Sequence, residues 1–266
     1  MVRPWFGVWQ HRQLVAQLIR RDVAGRYRGS LLGIVWSLFN PLLTLAVYTF
    51  AFGVVFKAKW TGSRSDSLLE FAIMLFAGLI VFSLFAECVT RAPGIVLANA
   101  NFVKKVVFPL EVLPVMLLGS ALFHATASLA ILIVGIAVTY GMVHWTVLLF
   151  PFVIVPVALL SLGLAWLLAS LGVFVRDIGQ VIGVLTTALL FLSPIFFPLA
   201  ALPPAVRPWM ELNPLAFPIE EARHVLVLGQ LPDWGSLAIY SAMALLVAVA
   251  GYAWFQRTKR AFADVM

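Results

Sequence analysis

From Leu31 to Phe56 the chain carries no charged side chain, and such a run exceeds the ~20 apolar residues that a helix needs to cross a bilayer. Directly before it, Gln10 to Arg28 is basic and amphipathic. Val15, Ile19, Val23 and Tyr27 recur every fourth residue beside Leu14 and Leu18, while Gln13, Gln17, Arg20, Arg21, Ala24 and Arg28 fall on the opposite face. A helix of this pattern is expected to lie in the headgroup layer, apolar side down and arginines toward anionic lipid. Gly29 and Ser30 form the elbow between the lying and the crossing segment.

With 63% hydrophobic and 11% charged residues, too few charges remain to solvate a globular surface, so the chain reads as an all-α polytopic membrane protein. A single transmembrane domain, 1–266, is expected. The lone cysteine, Cys88, lies in an apolar segment and reads as a small packed side chain. The first thirty residues hold six arginines and no short apolar run with a small-residue cleavage site, so no signal peptide is expected.

Six transmembrane spans are expected: Leu31 to Phe56, Leu68 to Phe85, Val112 to Tyr140, Thr146 to Val175, Ile178 to about Phe196, and Leu237 to Phe255. Pro151 and Pro156 are places for the long fourth span to kink. A cytoplasmic N-terminus places thirteen of the eighteen basic residues inside, and both termini then come out cytoplasmic. Lys57 and Lys59 run against that bias in the first outer loop.

The stretch 189–234 is apolar yet studded with Pro194, Pro198, Pro203, Pro204, Pro208, Pro214, Pro218 and Pro232. Prolines this dense forbid one continuous helix, and the apolar content forbids a solvated loop. A periplasmic re-entrant pair of short helices between spans five and six is expected, its backbone packed on protein or lining a cavity. The stretch 91–109, RAPGIVLANANFVKKVVFP, reads either as a helix presenting Asn99, Asn101, Phe102 and Lys105 to a soluble partner or as a basic linker touching headgroups.

Along the first span Ser37, Asn40, Thr44 and Tyr48 share one face, and Tyr48, Phe52 and Phe56 continue it as an aromatic stripe. This is either the lining of a polar path or hydrogen-bonding glue between helices. Ser120, His124 and Ser128 share a face of the third span, where a proton relay and satisfied packing compete. With no carboxylate evident nearby, packing is the simpler reading. Glu87 and Glu111 are expected to pair with Arg91 or Lys105, and Asp177 to cap span five. Glu220, Glu221, Arg223 and His224 form an outer charged cluster, a gate rim or a solvated edge. Gly179 and Gly183 make a G-x-x-x-G suited to close helix approach.

Several of these segments carry a resemblance. RRDVAGRYRGSLLGIVWSLFNPLL, then NANFVKKVVFPLEVLPV, VRDIGQVIGVL, LSPIFFPLAALPP and ELNPLAF are similar, in that order, to the permease subunit of bacterial ATP-binding-cassette exporters for O-antigen and capsular polysaccharides. Teichoic-acid exporters belong to the same group. The resemblance implies a homodimer in the bacterial inner membrane that moves lipid-linked polysaccharide and engages a separate nucleotide-binding subunit dimer. ATP and Mg would sit on that partner, since this chain holds no G-x-x-x-x-G-K-[ST] phosphate loop; the chain itself is then a transport subunit, not an enzyme. It further implies that Asn99, Asn101, Phe102, Lys104 and Lys105, with Arg21 and Asp22 beside them, contact the ATPase. Ser37, Asn40, Thr44, Tyr48, Phe52 and Phe56 would line the cargo path, and Phe196, Phe197, Glu220, Glu221 and Arg223 the periplasmic exit, with room for a periplasmic export partner and contacts to membrane lipid but none to nucleic acid. A secondary transporter or a glycan transferase fits less well: mid-span charges are scarce, and no acid, base or metal-ligand spacing stands out.

Overall fold

The computed structural model describes residues 10–58, 60, 67–103, 108–199, 202–205 and 207–262. Among these the chain is helical, with no strand. Helix α1 (Arg12–Tyr27) leads through an elbow into a single 3-10 turn and α2 (Trp36–Tyr48), which continues as a π-helical turn to Val55. Then come α3 (Leu68–Ala98), the short α4 (Ala100–Val103), α5 (Val112–Tyr140), α6 (Phe150–Phe174) and α7 (Ile178–Leu192). Two short helices, α8 (Arg207–Glu211) and α9 (Ala216–Arg223), precede α10 (Trp234–Thr258).

Five helical stretches are long and apolar enough to cross a membrane: Gly33–Val55, Leu68–Ala98, Val112–Tyr140, Trp145–Phe174 and Trp234–Ala261. They coincide with five of the six expected spans. The remaining one, α7, has 15 residues, about 22 Å at 1.5 Å per residue and short of a ~30 Å hydrocarbon core. It ends because Ser193 and Pro194 follow, and Asn213 Nδ2 donates to the Leu192 carbonyl (3.0 Å) and to Ser193 Oγ (2.9 Å). Helix α3 is longer than expected. It runs unbroken through Pro93 for 31 residues, about 46 Å, so the first part of 91–109 is the projecting end of this helix.

Helix α3 is the hub, packed against α5 on one side and α6 on the other, with α10 closing on α6. Glycine sets the tightest contact. A Cβ on Gly251 of α10 would collide with the Gly163 carbonyl oxygen of α6, and one on Gly163 would lie 2.6 Å from the Val247 oxygen. Without a hydrophobic drive between helices in lipid, such backbone approach is what holds them together. The Gly179/Gly183 pair of α7 does not do this within the subunit: Gly183 faces open space.

The expectation for α1 needs correction on one point. Its apolar face, with Val15, Leu18, Val23 and Tyr27 buried, lies on α5, where Ile19 fills the notch left by Gly119. Lipid would take such side chains as readily as protein, so it is the shape fit of Ile19 to Gly119 that gives this face to α5. Gly29 forms the elbow at φ +82°, and Ser30 Oγ donates to the Tyr27 carbonyl (3.0 Å).

Candidate functional site

Two polar ladders meet where α1, α3 and α5 converge. Ser83, Glu87 and Arg91 stand four residues apart on α3, and Ser120, His124 and Ser128 four apart on α5, so each set lines one helix face. Glu87 is the centre. Its Oε1 accepts from Arg26 Nη2 and from Arg91 Nη1 (3.2 Å), and its Oε2 lies 2.9 Å from His124 Nδ1. A carboxylate only accepts, so His124 Nδ1 donates to it, and Nε2 of the same ring lies 3.0 Å from the Tyr27 hydroxyl. Arg26 Nη1, 3.3 Å from the same Nδ1, is then an electrostatic neighbour of that ring. Periodicity within α5 shows no carboxylate for His124, but the fold brings Glu87 of α3 to it, and the expected Glu87–Arg91 pair is present. Glu111 pairs with Lys259 (3.2 Å); its expected partner Lys105 lies outside the described residues.

Arg91 reaches on to α1, donating from Nη2 to Asp22 Oδ1 at 2.7 Å. Burial alone would raise the Asp22 pKa, but Arg91's hydrogen bond and charge, with Ser120 and Arg26 adding to them, hold it below its ordinary value of 3.8. A lowered carboxylate pKa means stability present above the unfolded value and lost as pH falls through the folded one. Hydrogen-exchange protection of α1, with intrinsic rates divided out, is accordingly expected to stay high at neutral pH and to fall in acid below about pH 4. Asp22→Asn should exchange about fivefold faster at neutral pH, as suits a partly exposed pair worth about 1 kcal/mol; equal rates would show that the apolar face alone docks α1.

Above this cluster a cavity of about 200 Å³ opens between α1, α2, α3 and α5. Arg26, Tyr27, Glu87 and His124 form its charged end, Ser37, Asn40, Thr44, Ser83 and Ser128 its polar walls, and Pro41, Phe76, Leu79 and Ile80 its apolar side. Three of the proposed path residues, Ser37, Asn40 and Thr44, thus face one cavity. The other three do not. Tyr48 and Phe52 pack on Phe196, at ring-centroid distances of 5.2 and 4.1 Å, Phe52 being stacked on it, and Phe191 joins from α7. Phe56 follows Phe52 (5.6 Å) and is largely exposed.

At the α1 end, Arg21 lies over the Phe102 ring (5.5 Å), and Phe102 stacks on Phe108 (4.2 Å). Asn99 caps α3, its amide donating to the Ile95 carbonyl (2.9 Å), and Asn101 is exposed. Lys104 and Lys105 lie outside the described residues. Asp177 occupies the N-cap position of α7 without a side-chain cap bond.

The opposite cluster is neither an open rim nor a solvated edge around Arg223, which is 1% exposed. Its Nε donates to the Met74 carbonyl, Nη2 to the Ile195 carbonyl and Nη1 to Glu220 Oε1, each at 3.0 Å, with Cζ 4.2 Å from the Trp60 ring centroid. Met74 stands nearly two turns inside α3, and Gly78 leaves room for the guanidinium, so α9 descends alongside that helix. Buried Glu221 takes His224 Nδ1 (3.2 Å) and the Asp233 backbone N–H (3.1 Å). Phe196 is buried and Phe197 half-buried.

Five helices long and apolar enough to cross a membrane, with a polar cavity between them, define a multi-pass membrane protein. The chain belongs to the ABC-2 type transporter family, whose family model matches residues 13–227. It is 30% identical over 141 residues to the O-antigen export system permease protein RfbA of Myxococcus xanthus, covering 53% of this chain and 51% of that one. A Klebsiella pneumoniae protein of the same name is 30% identical over 129 residues, 48% of this chain and 46% of its own length. The chain thus spans about half the length of the curated relatives it matches.

Proposed function

We propose that this chain is the permease subunit of an ATP-driven exporter that moves lipid-linked polysaccharide, O-antigen or capsule, across the bacterial inner membrane as a homodimer. ATP is hydrolysed on a separate nucleotide-binding partner, and both termini are cytoplasmic. The observation that carries this reading is the joint at the α1 end: Arg21 meets Phe102 and Asp22 is tied to Arg91. A push on Phe102, Asn99, Asn101, Lys104 or Lys105 from a cytoplasmic ATPase would pass along α3 and, through Glu87 and His124, into α5. The α2 span, with no buried residue in its most apolar window, leaves a face for lipid or the second subunit.

The cargo's long hydroxylated chain cannot cross hydrocarbon unaided. Sugar C–H faces stack on aromatic rings, so the Tyr48, Phe52 and Phe196 cluster suits an aromatic constriction near the exit, opened when α2 and the segment after α7 part. In that scheme Arg223, Glu220 and Glu221 anchor the exit element, whose helices α8 and α9 dip into the outer leaflet. Phe102→Ala is expected to cut surface polysaccharide about tenfold, a coupling loss within the usual range, while subunit and ATPase still co-purify. Export at the parental level would contradict the coupling role, and transport by the purified chain without any ATPase would overturn the function.

A further inference from the structure

We infer that the cavity between α1, α2, α3 and α5 is a binding site for one pyranose ring of a glycan chain, held within a single subunit. This rests on the export reading for why a sugar arrives, but the cavity's chemistry carries it. Asn40, Thr44 and Ser83 line the space and make no hydrogen bond to protein among the described residues. Ser83 sits midway along the 31-residue α3 and, like Asn40 and Thr44, is exposed in the single subunit, so all three are open to a ligand. A ligand with hydroxyl-like chemistry can pair with all three at once.

The choice between ligand classes follows from donors and acceptors. Phosphate is an anion with mostly acceptor oxygens, and in this cavity it would face the Glu87 carboxylate, which together with Asp22 already offsets the charges of Arg26 and Arg91. A ring of hydroxyls both donates and accepts. It can give protons to Glu87, take them from the part-exposed Arg26, and exchange both ways with Asn40, Thr44 and Ser83. The apolar wall of Leu79, Ile80 and Pro41 suits the C–H face of such a ring. Size agrees: about 200 Å³ holds roughly six or seven waters at ~30 Å³ each and lies below the ~300–1,000 Å³ of sites for larger ligands, which suits one sugar unit rather than several.

The test uses the full chain in nanodiscs with Cys88→Ala and Ser83→Cys, labelled by a methanethiosulfonate reagent. Methyl pyranosides of the common hexoses and deoxyhexoses imitate a unit within a chain, free monosaccharides a metabolite, and glycerol and inorganic phosphate serve as controls. At a concentration about twice its Kd, at least one methyl pyranoside should slow labelling about threefold by occupancy. Adding Asn40→Leu should abolish that protection, and a Thr90→Cys probe outside the cavity should be insensitive. Protection by phosphate, by free sugars only, or by nothing beyond glycerol, as a merely water-filled cavity gives, would overturn the site. The two readings separate cleanly. Continued polysaccharide export with no protection removes the sugar site alone, whereas protection in a chain that exports no polysaccharide removes the export reading alone.

Discussion

Arg223→Met is expected to destabilise the folded subunit by about 3–5 kcal/mol, the range for removing one partner of a buried charged network. The substitution keeps much of the volume but leaves the Met74 and Ile195 carbonyls without their guanidinium donor and Glu220 without its cation. Helix α9 would then lose its hold on both α3 and the segment after α7. Arg223→Lys should recover only part, because one ammonium cannot serve three acceptors in a planar fork. Thermal melts followed by tryptophan fluorescence would register this, Trp60 lying directly on the guanidinium. A methionine variant that melts like the parent would show that the cluster carries no structural load.

The second large effect is expected at the α6–α10 contact. Gly251→Val sets side-chain carbon against the Gly163 carbonyl, and the helices must separate. Overpacking of this kind costs about 3 kcal/mol, enough to lower the yield of folded protein sharply in size-exclusion chromatography. Gly183→Val is the matched control. Its Cβ faces open space, so the folded subunit should be unchanged. Equal damage from both would mean that the α6–α10 approach is not what the glycines serve.

These two predictions concern residues whose importance is nearly invisible in the sequence. Arg223 reads there as one member of a charged outer group, because nothing local reveals that Met74, 149 positions away, stands above it. Gly163 and Gly251 belong to no G-x-x-x-G spacing, whereas Gly179 and Gly183 do. Motif periodicity reports which residues share a face but not which face another helix meets.

The polar site shows the boundary most clearly. Periodicity alone gave the faces Ser37–Asn40–Thr44 and Ser120–His124–Ser128, since each is a property of one helix. A third face, Ser83–Glu87–Arg91, has the same four-residue spacing and is equally legible in the sequence. Length and apolar content fixed five spans, and the proline density of 189–234 excluded a continuous helix there, because these are local constraints of backbone and bilayer. Only the tertiary structure decided that Glu87 serves His124 and Arg26, that α1 spends its apolar face on α5, and that the aromatic stripe of α2 closes on Phe196. Those outcomes depend on which surfaces meet, and helices of equal apolarity in lipid choose partners through shape, glycine notches and charge pairing across long separations in the chain.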